Sequence, residues 1–470
     1  MHVDHFLVVN MALVCQKRWE PTHVKGRVDT LMDTRLESKL APALSLRRFA
    51  TGFTGAAGVL LVLGSTVLAQ GTARGPFQFT PLPTSAACTP GGNPTQPLAL
   101  PPGYAQTVIA SEPQYPDLPD MQTLNETGAQ AGRYLYRTHE LGNNGAVSVT
   151  DLQTGQTRIL AQRADWERLD GIAWSPWGTL LFAEETGPGA IKDPAVPQAT
   201  SGLVYELNPE TGAATPRPAI GSRSHEGLRF DPQGNLYGIS ETNPGYIYRF
   251  TPDRRGDLSS GQLYALKVTQ PDGDRTGEAI WVPLDRAAVQ VDSVAAATAA
   301  GATGYNRPED VEIATSTGNN RGAANVLYVA VTGRPSDNRV LAIDLREPLS
   351  GNEHLTARVS DYVRVGLNAP ADFEMPDNLA LDKNGNLYIA EDPATAPTTL
   401  RGDDIWVATP PRGNETAASS VVRFASLTDC QAEPTGIYFD LSGTRLFVDV
   451  QHRGGDGLDK TVAITRADQP

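Results

Sequence analysis

Ser222-Arg-Ser-His-Glu-Gly-Leu-Arg-Phe-Asp-Pro-Gln-Gly-Asn-Leu-Tyr-Gly-Ile-Ser-Glu241 holds the plan of this chain in one short stretch. An acid (Glu226) leads an apolar strand, a tight turn follows at Asp231-Pro-Gln-Gly-Asn235, and a second strand ends at another acid (Glu241). The plan returns at Asp170 to Glu185 and at Asp377 to Asp392, and again at Glu433 to Asp449. A looser copy, with an insertion in its turn, starts at Arg307-Pro-Glu309-Asp-Val-Glu312. The leading acids Asp170, Glu226, Glu309, Asp377 and Glu433 are spaced by 56, 83, 68 and 56 residues. Short strands repeating at roughly fifty residues or more are the mark of a β-propeller. A degenerate copy in Tyr104 to Gln156, with Thr138-His139-Glu140 closing a strand, brings the expected count to six blades.

The chemistry of each copy suits strands. Leu236-Tyr237, Leu387-Tyr388-Ile389 and Leu446-Phe447-Val448 are aliphatic or aromatic, and a Gly closely precedes each. Asp231, Asp382 and Asp440 lack the alternating ligands and terminal Glu of an EF-hand, so they read as turn residues rather than calcium loops. The fold class is therefore all-β, a six-bladed propeller with loops inserted at Gly187 to Gly202, Asp285 to Tyr305 and Pro393 to Asp404. Val294 to Ala300 is rich enough in Ala for a short helix.

Around this domain, 104–470, the rest of the chain reads as export machinery. Residues 1–69 form an N-terminal extension and signal peptide: Arg47-Arg48, an apolar run from Phe53 to Leu68, then Ala69 before Gln70. The run is short for a membrane span and broken by Gly, Ser and Thr, so no stable membrane anchor is expected. The arginine pair admits a twin-arginine route as well as ordinary secretion, to the periplasm or outside the cell. Residues 70–103 read as an extended leader. After Ala69 the only cysteines are Cys88 and Cys430, and an oxidising compartment permits a disulfide between them; two free thiols are the alternative. A net charge of −14 gives no footprint for nucleic acid.

Acids at matching positions of successive blades would converge on the channel, where mutual repulsion is costly without a counter-cation. Glu226, Glu309, Glu312, Asp377 and Glu433 are thus candidate ligands for a hard cation such as Ca²⁺, with Glu184, Glu185 and Glu241 from the strand ends. On strict alternation Glu309, Val311 and Ile313 share one face of their strand, and Asp310 and Glu312 the other. Arg307, two residues before Glu309, suits a bidentate grip on phosphate or carboxylate. His139 and His225 read as structural, and neither a zinc-protease motif nor a Gly-x-Ser-x-Gly elbow occurs.

Several of these stretches together resemble the PhoX alkaline phosphatases, exported bacterial phosphomonoesterases with a propeller fold and an iron-calcium centre. The matching segments are Thr138-His-Glu140 with Gly145-Ala-Val-Ser-Val, Ser175-Pro-Trp-Gly-Thr with Glu184-Glu185, Ser224-His-Glu226, Arg307-Pro-Glu309-Asp-Val-Glu312, Pro376-Asp-Asn-Leu379, and Glu433-Pro-Thr-Gly with Gln451-His452. The resemblance implies iron or shared metal ligation by Glu226 and Glu309, and calcium binding by Glu185 and neighbouring acids. It also implies a phosphatase-like hydrolase acting on a small phosphate monoester. Arg307 and Glu309 are the candidate catalytic residues, and a monomer is expected. One position departs. The family's thiolate ligand to iron precedes the Glu-Glu pair, where this chain has Ala183. Iron is thereby put in doubt, and calcium alone, a lactonase-type hydrolase or a non-catalytic calcium-bound propeller that holds a ligand or partner are the alternatives.

Overall fold

Each acid-strand-turn-strand unit folds as the first two strands of an antiparallel run, because alternating apolar residues and a Gly-bearing turn leave a hairpin as the way to bury one face. The computed structural model describes residues 78–314, 325–333, 337–345, 355–392, 401–454 and 457–468. The signal segment 1–69, the start of the leader and the insertion 393–400 lie outside them.

Among the described residues the strands form five hydrogen-bonded sheets. One holds Pro119–Leu124, Tyr134–His139, Ala146–Asp151 and Gln156–Gln162. The next holds Leu169–Trp174, Leu180–Glu184, Val204–Leu207 and Ala214–Pro216. A nine-stranded sheet then joins the run that starts at Leu228–Phe230 to the run that starts at Pro308–Ala314. The expected six separate blades are therefore five separate sheets. The cause is Gly277–Pro283, a strand from the 285–305 neighbourhood that pairs with Asp257–Pro271 on one side and Thr356–Arg364 on the other. The starting strands of all the runs, from Pro119–Leu124 round to Glu433–Phe439, nonetheless pack against one another in a closed ring.

The chain ends close the ring. Tyr104–Ser111 pairs with Lys460–Arg466, which belongs to the sheet of Glu433–Phe439 and Arg445–Gln451. That corrects the reading of Tyr104 onward as the first blade: the strand completes the last sheet in the chain, while the first run starts at Pro119–Leu124. The leader lies on the protein as well. Leu98–Ala99 pairs with Ser420–Leu427, and Cys88 is disulfide-bonded to Cys430 with Cα atoms 5.1 Å apart. The short helix forms at Ser293–Ala299, capped by Asp292, whose side chain accepts from the Ala295 N–H at 2.9 Å.

The turns hold as expected. Asp231, Asp382 and Asp440 each accept a backbone N–H from four residues on, at 2.8–2.9 Å. Apolar clusters fill the spaces between sheets; Tyr388, Phe424, Phe439 and Leu446, for example, come from the last two. The inner strands are tied by side chains to backbone. Asp310 accepts from the Leu379 N–H at 2.8 Å, Asn378 accepts from the Gly436 N–H, and Gln122 donates to the Gly436 carbonyl at 2.7 Å.

Candidate metal centre

Two backbone devices aim the acids. Five of the six starting strands carry a β-bulge, just after the first residue at Pro119/Gln122, Leu169/Ile172, Pro308/Val311 and Pro376/Leu379, and after the third at Thr435/Tyr438; Leu228–Phe230 pairs without one. A bulge leaves residues unpaired and re-aims them. In the first four cases the re-aimed residue is Asp120, Asp170, Glu309 or Asp377. In the fifth it is Gly436, not Glu433. Glu433 reaches the centre from three residues earlier, opposite Gln451, so its alignment with the other leading acids is corrected. The second device is the residue just past each second strand. Glu140, Glu185 and Asp392 donate their N–H to the carbonyls of Leu118, Arg168 and Met375 at 2.8–2.9 Å, and Glu241 donates to Ser224 at 3.2 Å.

Together these residues line one cavity of about 180 Å³: Asp120, Glu140, Asp170, Glu185, Glu226, Glu241, Glu309, Asp377, Asp392 and Glu433, with Gln451, His452 and a single arginine, Arg307. Of the residues expected from the sequence, Glu185, Glu226, Glu241, Arg307, Glu309, Asp377 and Glu433 meet there. Glu184 does not. Strand alternation turns it away, and it accepts the backbone N–H groups of Glu167 and Leu203, each at 3.1 Å. Glu312 does not either. The bulge cancels the expected alternation and sends it to the opposite mouth of the channel, where it meets Arg229 at 3.2 Å. Asp120, Glu140, Asp170, Asp392 and His452 are the residues that sequence reasoning left out; the strand-end position shared by Glu140, Glu185, Glu241 and Asp392 was the signal for two of them. His139 and His225 are buried structural groups, bonded to Ser148 Oγ at 2.8 Å and to the Gly221 carbonyl at 3.0 Å.

The electrostatics are lopsided. Burial, and then the neighbouring carboxylates, raise the pKa values of Asp120, Asp170, Glu185, Glu226 and Glu433 well above the ordinary carboxylate range. Asp377 is pushed up to about 7, by burial first and Asp392 second. Arg307 is the counterweight: burial opposes its charge, but Glu309, Glu241 and Asp392 outweigh that and hold it protonated. Its guanidinium lies 2.7 Å from Glu241, 3.1 Å from Glu309 and 3.4 Å from Asp392, yet its side chain keeps 42% exposure.

One cation cannot satisfy this set. Asp170 Oδ1, Glu226 Oε2 and Glu309 Oε1 are buried oxygens without a hydrogen bond; Glu309 Oε1 is near Arg307 but misaligned for one. Glu226, Glu241 and Glu309 each offer an oxygen within 4.8 Å of the others. A second acidic trio, Glu112, Asp117 and Asp459, differs: Asp459 is already bonded to the N–H groups of Leu118 and Arg453, both at 3.1 Å. Ala183 sits in the apolar cluster with Leu181, Val204 and Leu228 rather than at the cavity. A thiolate at that position would face hydrocarbon, so the departure at Ala183 removes nothing from the cavity itself.

Fold and site together define a propeller-like all-β protein with a buried, oxygen-rich acidic centre at one channel mouth. The family description "Alkaline phosphatase PhoX" matches residues 171–454, and the chain belongs to that family. Among solved structures it is similar to Pseudomonas fluorescens PhoX in complex with vanadate, a transition state analogue. That match has 18% identity and a TM-score of 0.62, over 85% of this chain and 98% of that one. A gluconolactonase from Xanthomonas campestris aligns over 82% of this chain and 99% of its own, at 13% identity and a TM-score of 0.44. No curated protein sequence matches the chain.

Proposed function

We propose that this protein is an exported, calcium-dependent phosphomonoesterase built on a propeller-like ring of strands. Family membership supports the phosphatase. The observation that carries the metal dependence is the set of buried oxygens on Asp170, Glu226 and Glu309 that accept no hydrogen bond. Glu226, Glu241 and Glu309 would hold the ion, with Glu185, Asp377 and Glu433 completing an all-oxygen donor set of the kind calcium takes. When bound, the ion supplies a Lewis acid that polarises a phosphoryl oxygen.

The chain's own residues do the rest. Arg307 is half in the cavity and half exposed, and the carboxylates of Glu241 and Glu309 fix its orientation. Such a guanidinium can receive two phosphoryl oxygens and stabilise the charge that develops on them. The non-glycine backbone at Arg307 has φ 41°, a strained conformation that the hydrogen bonds to Thr242 and Thr332 hold in place. The cavity admits a small substrate, and the acidic chain disfavours nucleic acid. The protein acts as a monomer in this reading. The disulfide agrees with an oxidising destination in the periplasm or beyond. No helix among the described residues is long and apolar enough to cross a membrane.

The test is hydrolysis of a chromogenic phosphate monoester at alkaline pH, with calcium alone and with calcium plus iron. Activity with calcium alone is the expected result. Activity only with iron would reassign the metal, and none with any metal would leave a ligand-binding propeller.

A further inference from the structure

Arg168 repeats the backbone position of Arg307 two starting strands earlier. Each precedes a starting strand, Leu169–Trp174 or Pro308–Ala314, and each has a left-handed backbone, with φ 43° and 41°. The N–H of each donates to a loop just past the previous run's second strand: Arg168 to the Leu141 carbonyl at 2.7 Å, Arg307 to that of Thr242 at 3.1 Å. The carbonyl of Arg168 accepts from Glu185, just past its second strand, at 2.8 Å, and that of Arg307 from Thr332, within its second strand, at 2.9 Å. Two residues on from each comes a cavity acid, Asp170 or Glu309.

The side chains differ. Arg307 is committed to three carboxylates. Arg168 is exposed, and among the described residues its guanidinium has no ion pair or hydrogen bond. The nearby acids are engaged elsewhere: Asp165 pairs with Arg163 at 2.5 Å, the Glu167 carboxylate accepts the Ile191 N–H, and Asp170 is buried in the cavity. A strained non-glycine backbone, pinned at N–H and carbonyl between Leu141 and the cavity residue Glu185, thus roots an unpaired cation beside the acidic mouth.

We propose that Arg168 determines specificity by binding a second anionic group on the substrate, so that bisphosphorylated compounds are favoured over simple monoesters. The proposal rests on the phosphatase reading. The physical need is clear: carboxylates around the mouth repel a second anion, and a guanidinium there can grip phosphate by two parallel hydrogen bonds.

A matched pair of substrates tests it, glucose 1,6-bisphosphate against glucose 6-phosphate, on the metal-loaded wild type, Arg168→Ala, Arg168→Lys and the remote exposed control Arg254→Ala. The ratio of kcat/KM values should fall about tenfold in Arg168→Ala, mostly through KM, recover in part in Arg168→Lys and stay unchanged in Arg254→Ala. Calorimetric titration with methylenebisphosphonate and methylphosphonate gives the same comparison without turnover. A folded Arg168→Ala protein with wild-type ratios in both experiments would overturn the proposal. A wild type inactive on both sugars would instead strike the phosphatase reading, and the titration would still decide whether Arg168 selects the second anion.

Discussion

The strand Pro308–Ala314 reaches both mouths of the channel and treats its two glutamates differently. At one mouth Glu309 stands among many carboxylates that share a single arginine, and one of its oxygens is left without a hydrogen bond. At the other, Glu312 meets Arg229 one to one at 3.2 Å, and that guanidinium also bonds to the Leu228 carbonyl at 2.9 Å. The second mouth is larger, about 520 Å³, and is lined by Trp174, Phe230 and Leu381 as well as by charge. A carboxylate matched by its own cation serves the fold. A crowd of them with one cation is stable only when a further positive charge arrives, which is why function is sought at the first mouth.

The sharpest way to break this contrast is to exchange charge for amide at each end. Glu309→Gln should lower phosphatase activity by about a hundredfold or more and reduce bound metal, measured by steady-state kinetics and elemental analysis. Full metal content in a folded Glu309→Gln protein would remove Glu309 from the ligand set. Arg307→Ala should keep its metal and still lose about a hundredfold in kcat/KM, because the group that meets the developing charge is gone. Wild-type kinetics in that variant would rule out the role.

Thermal unfolding reads the same contrast as stability. Chelator should lower the Tm by several degrees and calcium should restore it, since a ligand at a hundred times its Kd contributes about 2.7 kcal/mol. An unchanged curve would mean that the acids tolerate one another without a cation. In chelator, pH supplies a further handle. Burial raises Asp377 in the folded state to about 7, from the ordinary aspartate value near 4. The folded protein therefore binds its proton more tightly, and that stabilisation is present at low pH and lost as pH rises from about 4 through about 7. Stability in chelator should fall across this window, and Asp377→Asn should flatten the slope. A rise across it in the wild type would contradict the buried, unpaired reading. The smallest effect belongs to the other mouth. Glu312→Gln should cost about 1 kcal/mol, with metal and activity as in the wild type.

Much of the fold was legible because a propeller writes its unit repeatedly. Glu226, Asp377 and Glu309 each precede an apolar strand, and the Asp-bearing turns after Phe230 and Leu381 mark where each hairpin reverses. The first run was harder. Pro119-Asp120 is followed by no such turn, so Asp120 had no pattern around it to announce a strand. Glu184 and Glu185 are adjacent and chemically alike, and only strand alternation with the backbone donors of Glu167 and Leu203 separates a structural carboxylate from a cavity one.

What the sequence determined by itself was the kind of molecule: an all-β repeat, acids recurring near the strand starts, an arginine beside one of them, and two cysteines able to pair. Those features are local, set by side-chain type and by a spacing of a few residues. Tertiary structure decided which acids meet. The bulges choose Asp120, Asp170, Glu309 and Asp377 over their neighbours, put Gly436 where Glu433 was expected, and send Glu312 to the far mouth. A bulge shifts register by one residue, and one residue reverses the face a side chain takes. Ring closure by Tyr104–Ser111, on a strand more than three hundred residues away, likewise depends on which sheet edge is left open once all the others have paired.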